Sequence, residues 1–185
     1  METFTPPRPF VSHPDYRHDR GRYRKGLVRE IERKAIDPPL LPLVRECMCV
    51  PHCFTLQCCY GHFVHAGEPD KENLAPISRY TRKIGRIEYR IAYIAFCLED
   101  SPEGHGLYSE LAGIAGPDPA YIQFGCADWF WEQVPNTYCL QLEPERMKDM
   151  DSGDVTWKEA ARLEELRGPF FERLMDIMRR HHVPE

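Results

Sequence analysis

Between Cys47 and His65 the chain places five cysteines and three histidines within nineteen residues: Cys47, Cys49, Cys53, Cys58, Cys59, His52, His62 and His65. Thiolate and imidazole are the donors that a zinc ion prefers, and Cys59-x-x-His62-x-x-His65 with Cys53 or Cys58 would supply four of them. Paired C-x-x-C knuckles are absent, and Cys58 and Cys59 are neighbours on a β-prone run. Successive strand residues point to opposite faces, so these two would not readily share one ion. The same cysteines suit two other roles: buried thiols acting as small apolar side chains, or a catalytic or redox thiol. Further candidates lie downstream. His62, His65 or His105 would serve as a proton acceptor if held near a reacting group, and the two indoles of Asp128-Trp129-Phe130-Trp131-Glu132 would stack an extruded base. Structural histidines and core-packed tryptophans fit the same residues.

The elements that must position these groups follow from composition and pattern. With 185 residues, 42% of them hydrophobic, and 21 aromatics, the chain has the length of one domain and enough apolar surface to bury a core. Wholesale disorder is excluded. The longest unbroken apolar stretch, Ile91 to Leu98, is far short of the ~20 residues of a bilayer-spanning helix, and METFTPPRPF lacks the apolar centre of a signal peptide. The expectation is a soluble cytoplasmic protein without a membrane partner, whose eight cysteines are not a disulfide framework. The net charge of −5 argues against a generally basic nucleic-acid coat, but the charge is uneven. Residues 1–34 carry nine Lys/Arg against five acids, giving +4, and the remainder is −9. Residues 1–22 therefore read as a basic arm rich in proline, with Phe10 and Tyr16 interleaved. Such an arm would either track phosphates or remain a poorly ordered tail. Residues 23–185 read as a single α+β domain.

Within that domain, Leu27, Val28, Ile31 and Ala35 mark an amphipathic helix over 24–35, stopped by Asp37-Pro38-Pro39. Leu40 to Cys47 restarts as a short helix. Cys53 to Cys59 is a strand ending in a turn at Tyr60-Gly61, and residues 66–83 form a long solvated loop. Arg86 to Leu98 reads as one central strand, amphipathic and then fully buried. A helix over 107–115 and a strand or strand pair over 120–131 complete a βαβ-like unit in a mixed β-sheet with flanking helices, and Thr137 to Glu143 adds a strand. Thr156-Trp157-Lys158-Glu159 is a capping box opening a long C-terminal helix, which Gly168-Pro169 should kink or break.

Phe54-Thr55-Leu56-Gln57-Cys58-Cys59-Tyr60-Gly61-His62 resembles the F-T-T-S-S-C-S-G-R signature of the tRNA wybutosine-synthesizing protein 3 family, keeping its Phe, Thr, Cys and Gly at the same spacing. Ile36-Asp37 and Leu40-Leu41-Pro42-Leu43 resemble the family's V-D and I-I-P-L-L segments. Ser101-Pro102-Glu103-Gly104-His105 resembles S-P-x-x-H, and Glu145-Arg146-Met147 resembles E-R-M. A long C-terminal helix closes both, so the likeness runs over residues 24–180 in order.

The resemblance implies an α+β fold and methylation of a ring nitrogen of a wyosine-type tRNA base, with S-adenosylmethionine as donor. Carried over, it makes Cys59, His62 and His105 the catalytic candidates and Thr55, Gln57, Gly61 and Arg146 the cofactor contacts, with tRNA or a nucleotide-like ligand as partner and no metal assigned. Where the family has paired serines this chain has Gln57 and Cys58, its next serine is Tyr60, and its arginine is His62. Replacing a guanidinium by imidazole removes a permanent bidentate cation, which points to a changed ligand. No glycine-rich phosphate loop is present, since Gly104-His105-Gly106 lacks the third glycine. The alternative is a non-catalytic, redox or metal-binding protein that uses the Cys47–His65 cluster on the same fold, with zinc the less favoured occupant.

Overall fold

The computed structural model describes residues 3–68, 70–80 and 85–183. Its β-prone runs form two antiparallel sheets. Strands β1 (Phe4–Thr5), β2 (Cys53–Cys59), β5 (Ala92–Leu98), β6 (Ile122–Ala127) and β7 (Thr137–Leu142) make a five-stranded sheet in the order β1-β6-β7-β5-β2. Strands β3 (His62–His65), β4 (Ile87–Arg90) and β8 (Ser152–Val155) make a second sheet in the order β3-β4-β8. The protein is thus α+β.

The βαβ-like unit is present in split form. β5 and β6 run parallel on either side of β7, which pairs antiparallel with both, so every paired strand among the described residues is antiparallel. The long strand expected over 86–98 divides at Ile91. Its amphipathic half is β4 in the small sheet, and its buried half is β5 at the centre of the large one. The alternation of Arg86, Glu88 and Arg90 marks a sheet with one wet face, whereas the unbroken apolar run marks a strand covered on both.

Among the described residues five α-helices cover the sheets: α1 (Tyr16–Glu32), α2 (Leu41–Met48), α3 (Pro102–Ala115), α4 (Asp128–Gln133) and α5 (Trp157–Arg180). On one face of the large sheet, Ile94, Phe96, Leu98 and Leu140 pack with Leu43 and Val44 of α2, Leu107 and Leu111 of α3, and Leu163, Phe170 and Leu174 of α5. The α5 stripe recurs at helical spacing, so one face of a 24-residue helix is core. The capping box forms as its sequence indicates: the Thr156 hydroxyl accepts from the Glu159 N–H at 3.2 Å while Glu159 Oε2 accepts from the Thr156 N–H at 2.8 Å. The helix runs unbroken through Pro169, which lies on its exposed side. Segment 120–131 holds one strand followed by α4, which carries both indoles.

Helix α1 begins at Tyr16, eight residues before the expected start, and the proline-rich residues ahead of it lie against the domain. Asn136 fixes Val11 by two hydrogen bonds of 2.9 and 2.8 Å, the Tyr138 hydroxyl donates to the Arg8 carbonyl, and Arg8 pairs with Asp128. Prolines prevent helix there, but they leave an extended strap free to bond sideways.

Candidate functional site

The two ladders β2/β5 and β3/β4 are a single long hairpin folded at a corner. Cys59 pairs with Tyr93 on one side of the corner and His62 with Arg90 on the other. Gly61 makes the corner possible. Its φ is +87°, and a Cβ there would stand 2.9 Å from both the Ala92 Cβ and the Tyr89 hydroxyl. The Tyr89 hydroxyl pins the other strand, accepting from the Ala92 N–H at 3.0 Å and donating to the Leu142 carbonyl at 2.9 Å. Arg167, buried on α5, donates to the Gly61 carbonyl at 2.8 Å while its guanidinium lies 4.4 Å from the Tyr60 ring centroid.

Asp37, Cys59 and His62 meet at this corner, with donor atoms all within 4.8 Å of one another. Among the described residues they are the one such His/Cys/Asp/Glu group. His62 is 1% exposed; its Nε2 lies 3.2 Å from Asp37 Oδ2 and its Nδ1 lies 3.3 Å from the Asn73 carbonyl oxygen. Both neighbours are acceptors, so both ring nitrogens carry protons and the ring is an imidazolium. Burial alone would lower its pKa, but the hydrogen bonds with Asp37 and Cys59 and their charges outweigh burial and raise it to about 10. Burial likewise acts to raise the Asp37 pKa. The hydrogen bonds from His62 and from the Tyr60 N–H, with the field of Arg90, hold it below its ordinary value. His62 is therefore a buried cation. It directs that charge inward, to Asp37, which unsuits it as a general base.

The Cys/His-rich segment is not one centre. Burial pushes the Cys53 and Cys58 thiols up to about 12 and Cys47 well above its ordinary value, so these three are neutral side chains in or beside the core. His52 contacts His181 at 2.9 Å, and His65 Nδ1 accepts from the Gly67 N–H. Of the eight, Cys59 and His62 bring donor atoms together with a third group, Asp37, which the sequence marked as a helix stop and in the Ile36-Asp37 segment but not as a ligand.

A cleft of about 600 Å³ opens beside the corner, lined by Gln57, Arg90, Tyr93, Trp129, Glu132 and Asp151 among others. Trp129 is 63% exposed at its edge. Residues opposite in an antiparallel pair share a face, as do residues two apart, so Gln57, Cys59 and Tyr93 point to the cleft side of the sheet. Arg90 links cleft and cluster, because it lines the first, acts on the charge of Asp37, and bonds Glu72 at 3.1 Å.

Three of the expected site residues lie elsewhere. Leu56 is an extra residue in β2, between Thr55 opposite Phe96 and Gln57 opposite Ala95, and this bulge turns Thr55 to the other face of the sheet. His105 sits on α3, after the far end of β5, and seven strand residues separate the two ends by ~20 Å. Its ring stacks on Phe10 with centroids 4.1 Å apart, and Nε2 bonds Asp100 at 2.8 Å. Arg146 forms a bidentate ion pair with Glu159 and donates to the Asp154 carbonyl at 3.1 Å, which ties it to the start of α5. The residues missed in the sequence, Arg90, Tyr93 and Arg167, carry no local motif and are recruited by strand register and helix packing.

No family model and no curated protein matches this chain. Among solved structures, one of the PH1069 protein from Pyrococcus horikoshii is similar at a TM-score of 0.53 and 11% identity, over 92% of this chain and 97% of that chain. A structure of the PH1069 protein from Pyrococcus horikoshii OT3 aligns at 0.48 and 9% identity, over 91% and 92%. What this chain shares with the first of these is the fold, over nearly the full length of both.

Proposed function

We propose that the protein is a divergent relative of the tRNA wybutosine-synthesizing protein 3 family, and that the cleft beside Gln57 takes S-adenosylmethionine next to a nucleobase-type methyl acceptor. The observation that carries this reading is that Gln57, within the signature segment, lines a cleft edged by Tyr93 and the exposed Trp129. A volume of about 600 Å³ is that of a small-molecule site. The two aromatic faces suit an adenine or a target base, and the carboxylates of Glu132 and Asp151 suit ribose hydroxyls and a sulfonium charge.

Methyl transfer from a sulfonium to a ring nitrogen breaks one S–C bond and forms one N–C bond, so it demands chiefly that donor and acceptor be held in line. In this reading Gln57 and Arg90 orient the ligands, Glu132 or Asp151 receives the proton that the alkylated nitrogen releases, and His62 holds the corner in shape. An RNA partner is supported by α1, whose exposed Arg17, Lys25 and Arg29 lie on one face as a cationic stripe interrupted at Gly21.

A calorimetric titration of the reduced protein with S-adenosylmethionine tests the reading. One-site binding, weakened at least tenfold in Trp129→Ala and in Gln57→Ala, is the expected result. Absence of heat and of thermal stabilisation up to millimolar ligand refutes it.

A further inference from the structure

We propose that Asp37, Cys59 and His62 form a mononuclear site for a divalent metal of the zinc class, with a fourth position left for water or a donor atom of a ligand. The site lies at the corner of the folded hairpin and is distinct in its residues from the cleft that would hold the methyl donor.

The donor set is one carboxylate oxygen, one sulfur and one imidazole nitrogen, which is the chemistry of zinc and its neighbours rather than of magnesium or calcium. The three donors come from the segment before α2, the end of β2 and the start of β3, and Cys59-x-x-His62 spans the Gly61 corner, whose backbone is held from two sides by Tyr89 and Arg167. With bond lengths of about 2.0–2.3 Å, tetrahedral ligand atoms stand about 3.3–3.8 Å apart. The observed separations of up to 4.8 Å therefore need to close by about 1.5 Å at most, within reach of side-chain rotation.

Each donor also has the outer partner that a metal ligand uses to fix its direction. His62 Nδ1–H donates to the Asn73 carbonyl at 3.3 Å, which leaves Nε2 as the coordinating nitrogen on the side of Asp37. The Tyr60 N–H donates to Asp37 Oδ2 at 2.7 Å, and the Gly61 N–H to Cys59 Sγ at 3.5 Å. Charge balances in the loaded site, where Nε2 and Sγ coordinate without protons and a dication offsets carboxylate and thiolate. The ion enters as the aqua cation and two protons depart to solvent, with no redox change. The Arg90 guanidinium, whose field reaches Asp37, is held by Glu72 at 3.1 Å, and that of Arg167 by the Gly61 carbonyl.

The test uses the full chain stripped with chelator and reduced, then titrated with cobalt(II) and with zinc(II). The expected result is a thiolate-to-cobalt charge-transfer band in the near ultraviolet, saturating at one equivalent and bleached by zinc, with two protons released per zinc near neutral pH. Cys59→Ser abolishes the band, and His62→Gln and Asp37→Asn weaken zinc binding on the order of 100-fold. Cys58→Ser, one residue away on the opposite face, keeps band and affinity. Absence of a charge-transfer band in the wild-type chain, or loss of the band in Cys58→Ser with retention in Cys59→Ser, overturns the proposal. If Cys59→Ser fails to fold, the isosteric Asp37→Asn and the proton count on wild-type protein decide. None of these readouts involves S-adenosylmethionine, so the metal site and the methyl-donor reading stand or fall separately.

Discussion

Arg167 Nη1 donates to the Gly61 carbonyl at 2.8 Å, a bond between α5 and the corner that joins the two sheets, across 106 positions of sequence. The guanidinium is buried, and its face lies over the rings of Tyr60 and Phe63. Truncation would leave a buried carbonyl without its donor, costing about 1–3 kcal/mol, and remove a desolvated cation–π contact worth roughly 2 kcal/mol. We expect Arg167→Ala to lose about 3–5 kcal/mol of unfolding free energy in urea titrations. A loss below about 1 kcal/mol would show that α5 docks without this bond.

Gly61→Ala places a Cβ at positive φ and within 2.9 Å of Ala92 Cβ and the Tyr89 hydroxyl. Backbone strain of about 1–3 kcal/mol adds to the contact with packed atoms on the opposing strand. The corner must open, and with it the spacing of Cys59 and His62. Equilibrium denaturation should register a loss larger than that of Gly21→Ala, at an exposed helix position where an added methyl meets nothing within 4 Å and should stabilise. Equal effects at the two positions would refute the corner argument.

His105 and Arg146 lie apart from the cleft, the first stacked on Phe10 and the second paired with Glu159. His105→Ala and Arg146→Ala should therefore leave ligand affinity in the cleft within about twofold, a difference of only ~0.4 kcal/mol, while Trp129→Ala weakens it at least tenfold. Parallel calorimetric titrations of the three variants with S-adenosylmethionine separate them. A tenfold loss in His105→Ala would place that histidine in the site despite its distance along β5.

The start of α5 carries an acid-sensitive contribution to stability. Burial acts to raise the Glu159 pKa, but the Thr156 N–H and hydroxyl and Arg146 outweigh it and lower the pKa below its ordinary value. A depressed carboxylate stabilises the fold fully above its unfolded pKa, near 4.3, and that contribution disappears as pH falls through the folded value. Wild-type stability should thus drop below about pH 4.5 more steeply than that of Glu159→Gln, measured as urea midpoints from pH 6 to 3. Thr156→Ala, which removes the cap itself, should cost about 1 kcal/mol at neutral pH. Superimposable pH curves for wild type and Glu159→Gln would count against this account.

Local chemistry alone determined a good part of the molecule. The capping box of α5, the apolar stripe along it, the helix restart at Leu41 after two prolines, the strand over Cys53–Cys59 and the turn at Gly61 all depend on residues within a few positions of one another, so the sequence encodes them directly. The corner at Gly61 was legible for the same reason: it needs a positive-φ turn between two strands, and glycine supplies it.

Only the tertiary structure decided which of the marked side chains meet. One extra residue, Leu56, reverses the facing of Thr55 relative to Gln57 and Cys59, and no local pattern distinguishes a bulged strand from a regular one. Asp37 reaches His62 because the loop before α2 packs against the folded hairpin, a contact across 25 residues. Packing partners separated Cys47 and Cys53 in the core and half-buried Cys58 at its edge from Cys59, which is buried beside Asp37 and His62, although all four belong to one short enriched run. The strap ahead of α1 and the division of 86–98 between two sheets have the same origin. Hydrogen-bond partners and burial are properties of what lies opposite a residue, and in an antiparallel fold with a split βαβ unit that neighbour is distant in the chain.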